Sequence, residues 1–303
     1  MLEQVINFLN VKDNLTYIDA TFGRGGYSDA ILNRANCNLI AIDQDPDVIL
    51  FGDKLKKKYK HRFSLFSDSF NNIISIIKKK NLDSISGGIV ADLGLSTMQI
   101  ENANRGFSFM RDGPLDMRMS KQGETAKDII YTANKKELES ILKNYGEEKK
   151  YKSIAKLIVD EREKQNIDRT LKLVDLIKKA KKNSDKSKIH PATKTFQALR
   201  IKVNEELKML DEFLKNSQKI LSPGARLVLV TFHSLEDRIV KIFFNKITGK
   251  EININRHLPS IKVNKKIKFK KINKKPIVAD KNELKKNFKA RSAKMRVVER
   301  LDV

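Results

Sequence analysis

Apolar positions in the first hundred residues fall in short runs separated by helix-patterned stretches, the pattern of successive βαβ units. Residues 17–21, 38–42, 63–66 and 88–91 read as four strands, the second ending on Asp43 and the fourth on Asp92. A glycine-rich turn at 23–26 follows the first strand, and residues 28–35 read as a helix. The next convincing buried strand, 226–232, comes more than 130 residues after the fourth. That gap is far longer than a normal crossover, so the pattern predicts a segment inserted into the sheet.

The insertion is patterned as helices. Asn134 and Glu137 have the spacing of a capping box. Gly146 is suited to the left-handed residue after the helix they open. Residues 153–165 and 170–182 read as two further helices, and 181–188 as a polar loop. One long helix is then predicted from near Pro191, because Phe196, Leu199, Val203, Leu207, Leu210 and Leu214 follow one another at spacings of 3, 4, 4, 3 and 4. Ser222-Pro223-Gly224 turns the chain into the late strand. The predicted organisation is a discontinuous α/β domain, 1–104 and 193–303, carrying an inserted all-helical domain, 105–192, that faces the substrate.

Composition narrows the class. A hydrophobic fraction of 40% supports a core. No uninterrupted apolar run approaches the ~18 residues of a membrane span. The first residues lack a basic segment followed by an apolar one, and Cys37 is the single cysteine. Disulfides and a CxxC metal knuckle are thereby excluded, no His/Cys/carboxylate cluster calls for a metal, and a cytoplasmic setting is expected. The net charge is +25, and residues 241–296 hold 19 Lys+Arg against 3 Asp+Glu. Such a concentrated excess attracts polyanions and favours a nucleic-acid partner over a merely solvated lysine face.

The turn after the first strand carries the most chemistry. Glycines there let backbone N–H groups approach a ligand, and the helix that follows adds partial positive charge. Asp43 lies 20 residues after Gly23, where a carboxylate accepts hydrogen bonds from the hydroxyls of a ribose. Dinucleotide enzymes share that arrangement, but the turn reads Asp19-Ala20-Thr21-Phe22-Gly23-Arg24-Gly25-Gly26, which is not GxGxxG. An acid at Asp19 suits a cationic ligand with an amino-acid moiety better than a pyrophosphate. Read alone, these residues indicate a nucleotide-cofactor enzyme acting on a polyanion.

The segments DATFGRGGYS, AIDQDP, RGFSFMRDGPLDMRM, HPATKTFQALRIKVNEEL, FHSLEDRIVK and ARSAKMRVVER span residues 19 to 300 in order. Together they resemble the signatures of the bacterial 16S rRNA (cytosine-N4)-methyltransferase family, known as MraW or RsmH. The resemblance implies a class I S-adenosylmethionine-dependent methyltransferase, with a Rossmann-like sheet interrupted by a helical domain. It further implies methylation of a cytidine N4 amine at the decoding centre of the small subunit. Gly25, Gly26 and Tyr27 would line the methionine end of S-adenosylmethionine, Asp43 its ribose and Phe70 its adenine, with Asp92 and Gln99 completing the pocket. Phe70 reads equally well as core. The family commonly has a His-x-Pro-Val-type segment before Leu2-Glu3, so this chain is expected to start inside that motif.

An N4 amine is a poor nucleophile because its lone pair is delocalised into the ring, so the site must accept hydrogen bonds from it. The Asp/Asn-Pro-Pro-aromatic loop common in amino methyltransferases is replaced here by Asp92-Leu93-Gly94-Leu95-Ser96. Candidate acceptors are Asp92, Ser96, Asp112 and Asp116, with turn formation as the alternative for Asp112 and an Arg118 pair for Asp116. His233 would orient the base or relay a proton; alternatively Ser234 caps the next helix with Asp237 at its third position. Competing functions are a methyltransferase on DNA or tRNA, a non-catalytic RNA-binding assembly factor, and a dinucleotide oxidoreductase.

Overall fold

The computed structural model describes residues 1–181, 189–249 and 267–303. The chain divides into two compact units, residues 1–94 with 207–303, and residues 95–206. In the first, helix α1 (Leu2–Leu9) precedes β1 (Thr16–Asp19), α2 (Gly26–Arg34), β2 (Asn38–Asp43), α3 (Ile49–Tyr59), β3 (Phe63–Ser67), α4 (Ile73–Lys79) and β4 (Gly88–Asp92). The second unit holds α5 (Thr97–Glu101), α6 (Ala126–Thr132), α7 (Lys135–Gly146), α8 (Tyr151–Arg162), α9 (Thr170–Ala180) and α10 (Thr193–Val203). The chain then returns through α11 (Glu206–Ile220) to β5 (Arg226–Thr231), α12 (Ser234–Ile247), β6 (Phe269–Lys271), β7 (Ile277–Val278), α13 (Lys281–Lys286) and β8 (Lys294–Arg300).

The sheet runs β3-β2-β1-β4-β5-β8-β6, with β7 also on β8. The first five strands are parallel, and β8 enters antiparallel beside β5. This is the Rossmann-like class I sheet. The order reverses at β1, which pairs β2 on one side and β4 on the other, so a crevice opens at the carboxyl ends of those three strands. Strand periodicity explains the core. Ile18, Ile40, Ile42, Ile89, Ala91, Leu227 and Leu229 point to one face and pack with α4, α11 and α12. The alternate residues Tyr17, Leu39, Ala41, Val90 and Val228 are buried as well, as expected for a parallel sheet covered on both faces.

The second unit has its own core, drawn from Phe107, Leu115, Met117 and α6 to α10. The expected boundaries, 104/105 and 192/193, both fall inside this unit. Leu95 and Val203, outside the expected span, pack against its core. The Asn134–Glu137 capping box forms, but Gly146 is the last helical residue and Glu147 takes the left-handed conformation (φ 48°). Part of the reason is packing: a Cβ on Gly146 would lie 2.6 Å from the Lys194 carbonyl.

The single helix expected from Pro191 is two helices. Glu205 turns left-handed (φ 47°), and the Asn204 amide donates to the Met117 and Arg200 carbonyls at 2.8 and 2.9 Å. Glu206 forms a two-point pair with Arg200 at 2.7 and 2.8 Å. The apolar stripe is therefore shared: Phe196 and Leu199 serve the helical core, Leu210 and Leu214 the sheet core. The expected 181–188 loop, apart from Lys181, and residues 250–266 of the basic stretch lie outside the described residues.

Candidate active site

The glycine turn is tied to both neighbouring strands. Phe22 N–H donates to the Ile42 carbonyl at 3.0 Å, and Thr21 Oγ1 accepts from Asp92 N–H at 2.7 Å. Gly25 has φ +79°, and a Cβ there would come within 2.8 Å of the Phe22 ring. A Cβ on Gly26, the first residue of α2, would meet nothing within 4 Å. The amino end of α2 thus faces open space wide enough for a ligand to approach the backbone.

Asp19 is fully buried beneath this turn. Its carboxylate accepts from Ser28 Oγ at 2.7 Å and Thr21 N–H at 3.2 Å, and burial raises its pKa to about 6. Through these bonds Asp19 ties the turn to α2. Asp43 is the opposite case. Its two oxygens accept from Gly23 N–H at 2.7 Å and Asp45 N–H at 2.9 Å, and Gln44 N–H bonds the carboxylate as well, which fixes its orientation at the end of β2. Burial raises its pKa. Phe70 lies just past β3, half-buried, with its ring edge-on to Phe213 at 5.0 Å. The core reading of Phe70 is therefore realised, at a position on the rim of the crevice.

Asp92 closes β4. One carboxylate oxygen, Oδ1, is buried without a hydrogen-bond partner, and Tyr27 bonds the carboxylate. Burial, chiefly, and the charges of Asp19 and Glu236 push its pKa up to about 7. Burial and the Asp92 charge hold the Tyr27 phenol protonated, so Tyr27 is the donor. A carboxyl poised near neutrality, with an unused acceptor, is equipped to take a proton.

His233 is not a bystander, and Ser234 is not the cap. His233 itself caps α12: its Nδ1 accepts from Glu236 N–H at 3.4 Å. The Glu236 carboxylate reciprocates, accepting from Phe232 N–H at 2.8 Å and His233 N–H at 3.3 Å. Asp237, expected in that role, instead pairs with Arg296 at 2.7 Å. The extended backbone of His233 (φ −136°, ψ 165°) fits a cap, and capping occupies its Nδ1. Glu236 was missed, although its position three residues after His233 was the available signal. Thr21 and Ser28 left no signal beyond a hydroxyl near the turn.

The remaining candidates belong to the second unit, and each makes bonds within it. Ser96 and Gln99 form a reciprocal capping box for α5, at 3.2 and 3.0 Å. Asp112 pairs with Arg169 at 2.5 Å and accepts from Leu171 N–H at 3.3 Å, anchoring its turn to the start of α9; the Arg169 bond lowers its pKa. Asp116 pairs with Arg118 at 2.7 Å. Burial pulls its pKa up, but Arg118 outweighs it and the net shift is down. The RGFSFMRDGPLDMRM segment binds largely to itself and its own unit. Buried Arg105 donates to the Arg118 and Met119 carbonyls at 2.9 and 2.8 Å, and a Cβ on Gly113 would sit 1.9 Å from the Ala103 carbonyl oxygen.

The family model described as the MraW methylase family matches residues 1–301. The chain is 44% identical over 299 residues to a ribosomal RNA small subunit methyltransferase H of Rickettsia massiliae, covering 98% of this chain and 95% of that one. It is 42% identical to the protein of the same name from Rickettsia prowazekii, covering 99% and 97%. The corresponding protein of Parvibaculum lavamentivorans is 41% identical, with 99% and 88% covered.

Proposed function

The chain belongs to the MraW methylase family, and on that premise we propose that it methylates the N4 amine of a cytidine at the decoding centre of small-subunit ribosomal RNA. It is an S-adenosylmethionine-dependent rRNA methyltransferase. A cytoplasmic setting follows from that substrate. No helix among the described residues is long and apolar enough to cross a membrane.

The residues at the sheet edge fit the cofactor. Gly25 and Gly26 present backbone at the amino end of α2, Asp43 offers a fixed carboxylate to the ribose hydroxyls, and Phe70 lies just past β3 for the adenine. When bound, the cofactor supplies a methyl group already activated on a sulfonium sulfur. The protein's task is then to align the amine and accept its hydrogens. Asp92 carries this reading: its half-exposed carboxylate at the end of β4 accepts a hydrogen bond from the N4 amine, concentrating the nitrogen lone pair, and takes up the proton as the C–N bond forms. Tyr27 keeps the carboxylate oriented. The experiment is to map methylated cytidines in small-subunit rRNA from cells with and without this protein. One N4-methylated cytidine at the decoding centre should disappear with it; an unchanged methylation map, or loss confined to tRNA or DNA, refutes the assignment.

A further inference from the structure

Lys215 and Lys219 stand one turn apart near the end of α11, Lys268 precedes β6, and Arg300 ends β8. With Gln218 they line a groove of about 480 Å³ that has no acidic lining residue. Lys215 shares its charge with Asp211, and Arg300 lies 5.2 Å over the Phe269 ring while donating to the Gln218 carbonyl at 3.3 Å. Lys219 and Lys268 are exposed and have no carboxylate partner among the described residues. Capping α11 does not require these lysines. Its late carbonyls at Ser217, Gln218 and Ile220 already accept from Leu221 N–H, Arg300 and Ile85 N–H.

The groove lies at the wrong end of the sheet to touch the reacting base. Arg300 N–H donates to the Ala225 carbonyl at 3.0 Å, at the start of β5, whereas Asp92 pairs with Val230 near that strand's far end. The five residue steps from Ala225 to Val230 separate the two ends by about 17 Å. Of the neighbouring lysines Lys268, Lys270 and Lys271, Lys270 pairs with Glu299 at 2.8 Å and Lys271 with Asn245, while Phe269 and Val297 pack inward. Only Lys268 of the three joins the groove.

We propose that this groove grips the phosphate backbone of the rRNA substrate at a second point, remote from the target cytidine. The proposal rests on the rRNA reading above and deepens it. Phosphates placed here fix the position of a large folded RNA without reading its sequence. A mono- or dinucleotide cannot reach both ends, so the groove makes the enzyme favour longer RNA.

The test replaces Lys215, Lys219 and Lys268 with Ala in the full chain. Binding to a small-subunit rRNA transcript is then followed across a salt series. A charge-matched control replaces Lys56, Lys57 and Lys79, which are exposed on α3 and α4. Loss of three contacts should lower the log–log salt slope by about 2. The control should keep the wild-type slope, and calorimetry should find cofactor affinity unchanged in both variants. A groove variant with the wild-type slope, or a control that falls equally, overturns the proposal. If the wild-type protein methylates no small-subunit rRNA yet only the groove variant loses slope, the groove stands and the functional assignment falls.

Discussion

Asp19 and Asp92 at the sheet's carboxyl edge, and Asp112 and Asp116 in the helical unit, are the same residue type with opposite titration behaviour. The first pair is buried without an arginine partner and is pushed up to about 6 and about 7. The second pair meets Arg169 and Arg118 and is pulled down. All four carboxylates follow strands or turns that look alike in sequence. The difference shows where chemistry is available: a carboxylate saturated by a guanidinium is an anchor, whereas one near neutrality with an orphaned oxygen exchanges protons.

The sharpest way to break this comparison is to remove each charge without changing shape. Asp92→Asn should lower the methyl-transfer rate by about 10²- to 10⁴-fold. Asp112→Asn should leave it within a few-fold. Single-turnover assays decide, and equal losses in the two variants would erase the distinction. In the wild type the transfer rate should rise with pH and level off above about 7, as Asp92 loses its proton. A flat profile through that range would remove Asp92 as the acceptor.

Asp43 tests the same edge for binding alone. Asp43→Ala removes charged acceptors worth about 1.5–3 kcal/mol, so cofactor affinity should fall about 10- to 100-fold. Calorimetry giving wild-type affinity would contradict the ribose role.

Between pH 5 and 7.5 stability should depend on pH differently in the two units. That window lies above the lowered carboxyls of both, including Asp29, Asp237 and Glu299 in the sheet unit. The raised carboxyls of the sheet unit bind protons more tightly when folded. Their contribution is full below the ordinary carboxylate value and is lost as pH rises through about 6 and 7, at up to about 1.4 kcal/mol per pH unit for each proton. The lowered carboxyls of the helical unit contribute above that value and lose their contribution as pH falls below it. Native-state hydrogen exchange should therefore find the sheet unit weakening between pH 5 and 7.5 while the helical unit holds. A common slope in that window sinks the comparison.

The smallest effect concerns His233. His233→Ala should cost about 1 kcal/mol of stability by uncapping α12, whereas His233→Asn keeps an acceptor and both stability and transfer. A stable Asn variant that no longer transfers methyl would return a chemical role to the imidazole.

Much of this protein was legible in its residues because the information is local. Short continuous apolar runs located the five parallel strands, since a strand buried on both faces tolerates little else. The glycine turn and the Asp43 spacing pointed to a candidate cofactor edge, because approach to backbone restricts the residue types there. The sequence of Asn134 to Glu137 specified a helix start through bonds spanning three residues. Tertiary structure decided what depends on partners distant in the chain. The stripe from Phe196 to Leu214 has one unbroken period, yet Asn204's bond to Met117 is part of what ends one helix, and two cores divide the stripe. Asp112 and Asp92 could not be told apart until Arg169 was found beside one and nothing beside the Oδ1 of the other. Lysines scattered over 215–268 became one surface only when β8 folded back beside β5. Periodicity and turn chemistry act over a few residues, whereas desolvation and charge pairing are set by whichever groups the finished fold brings within a few ångströms.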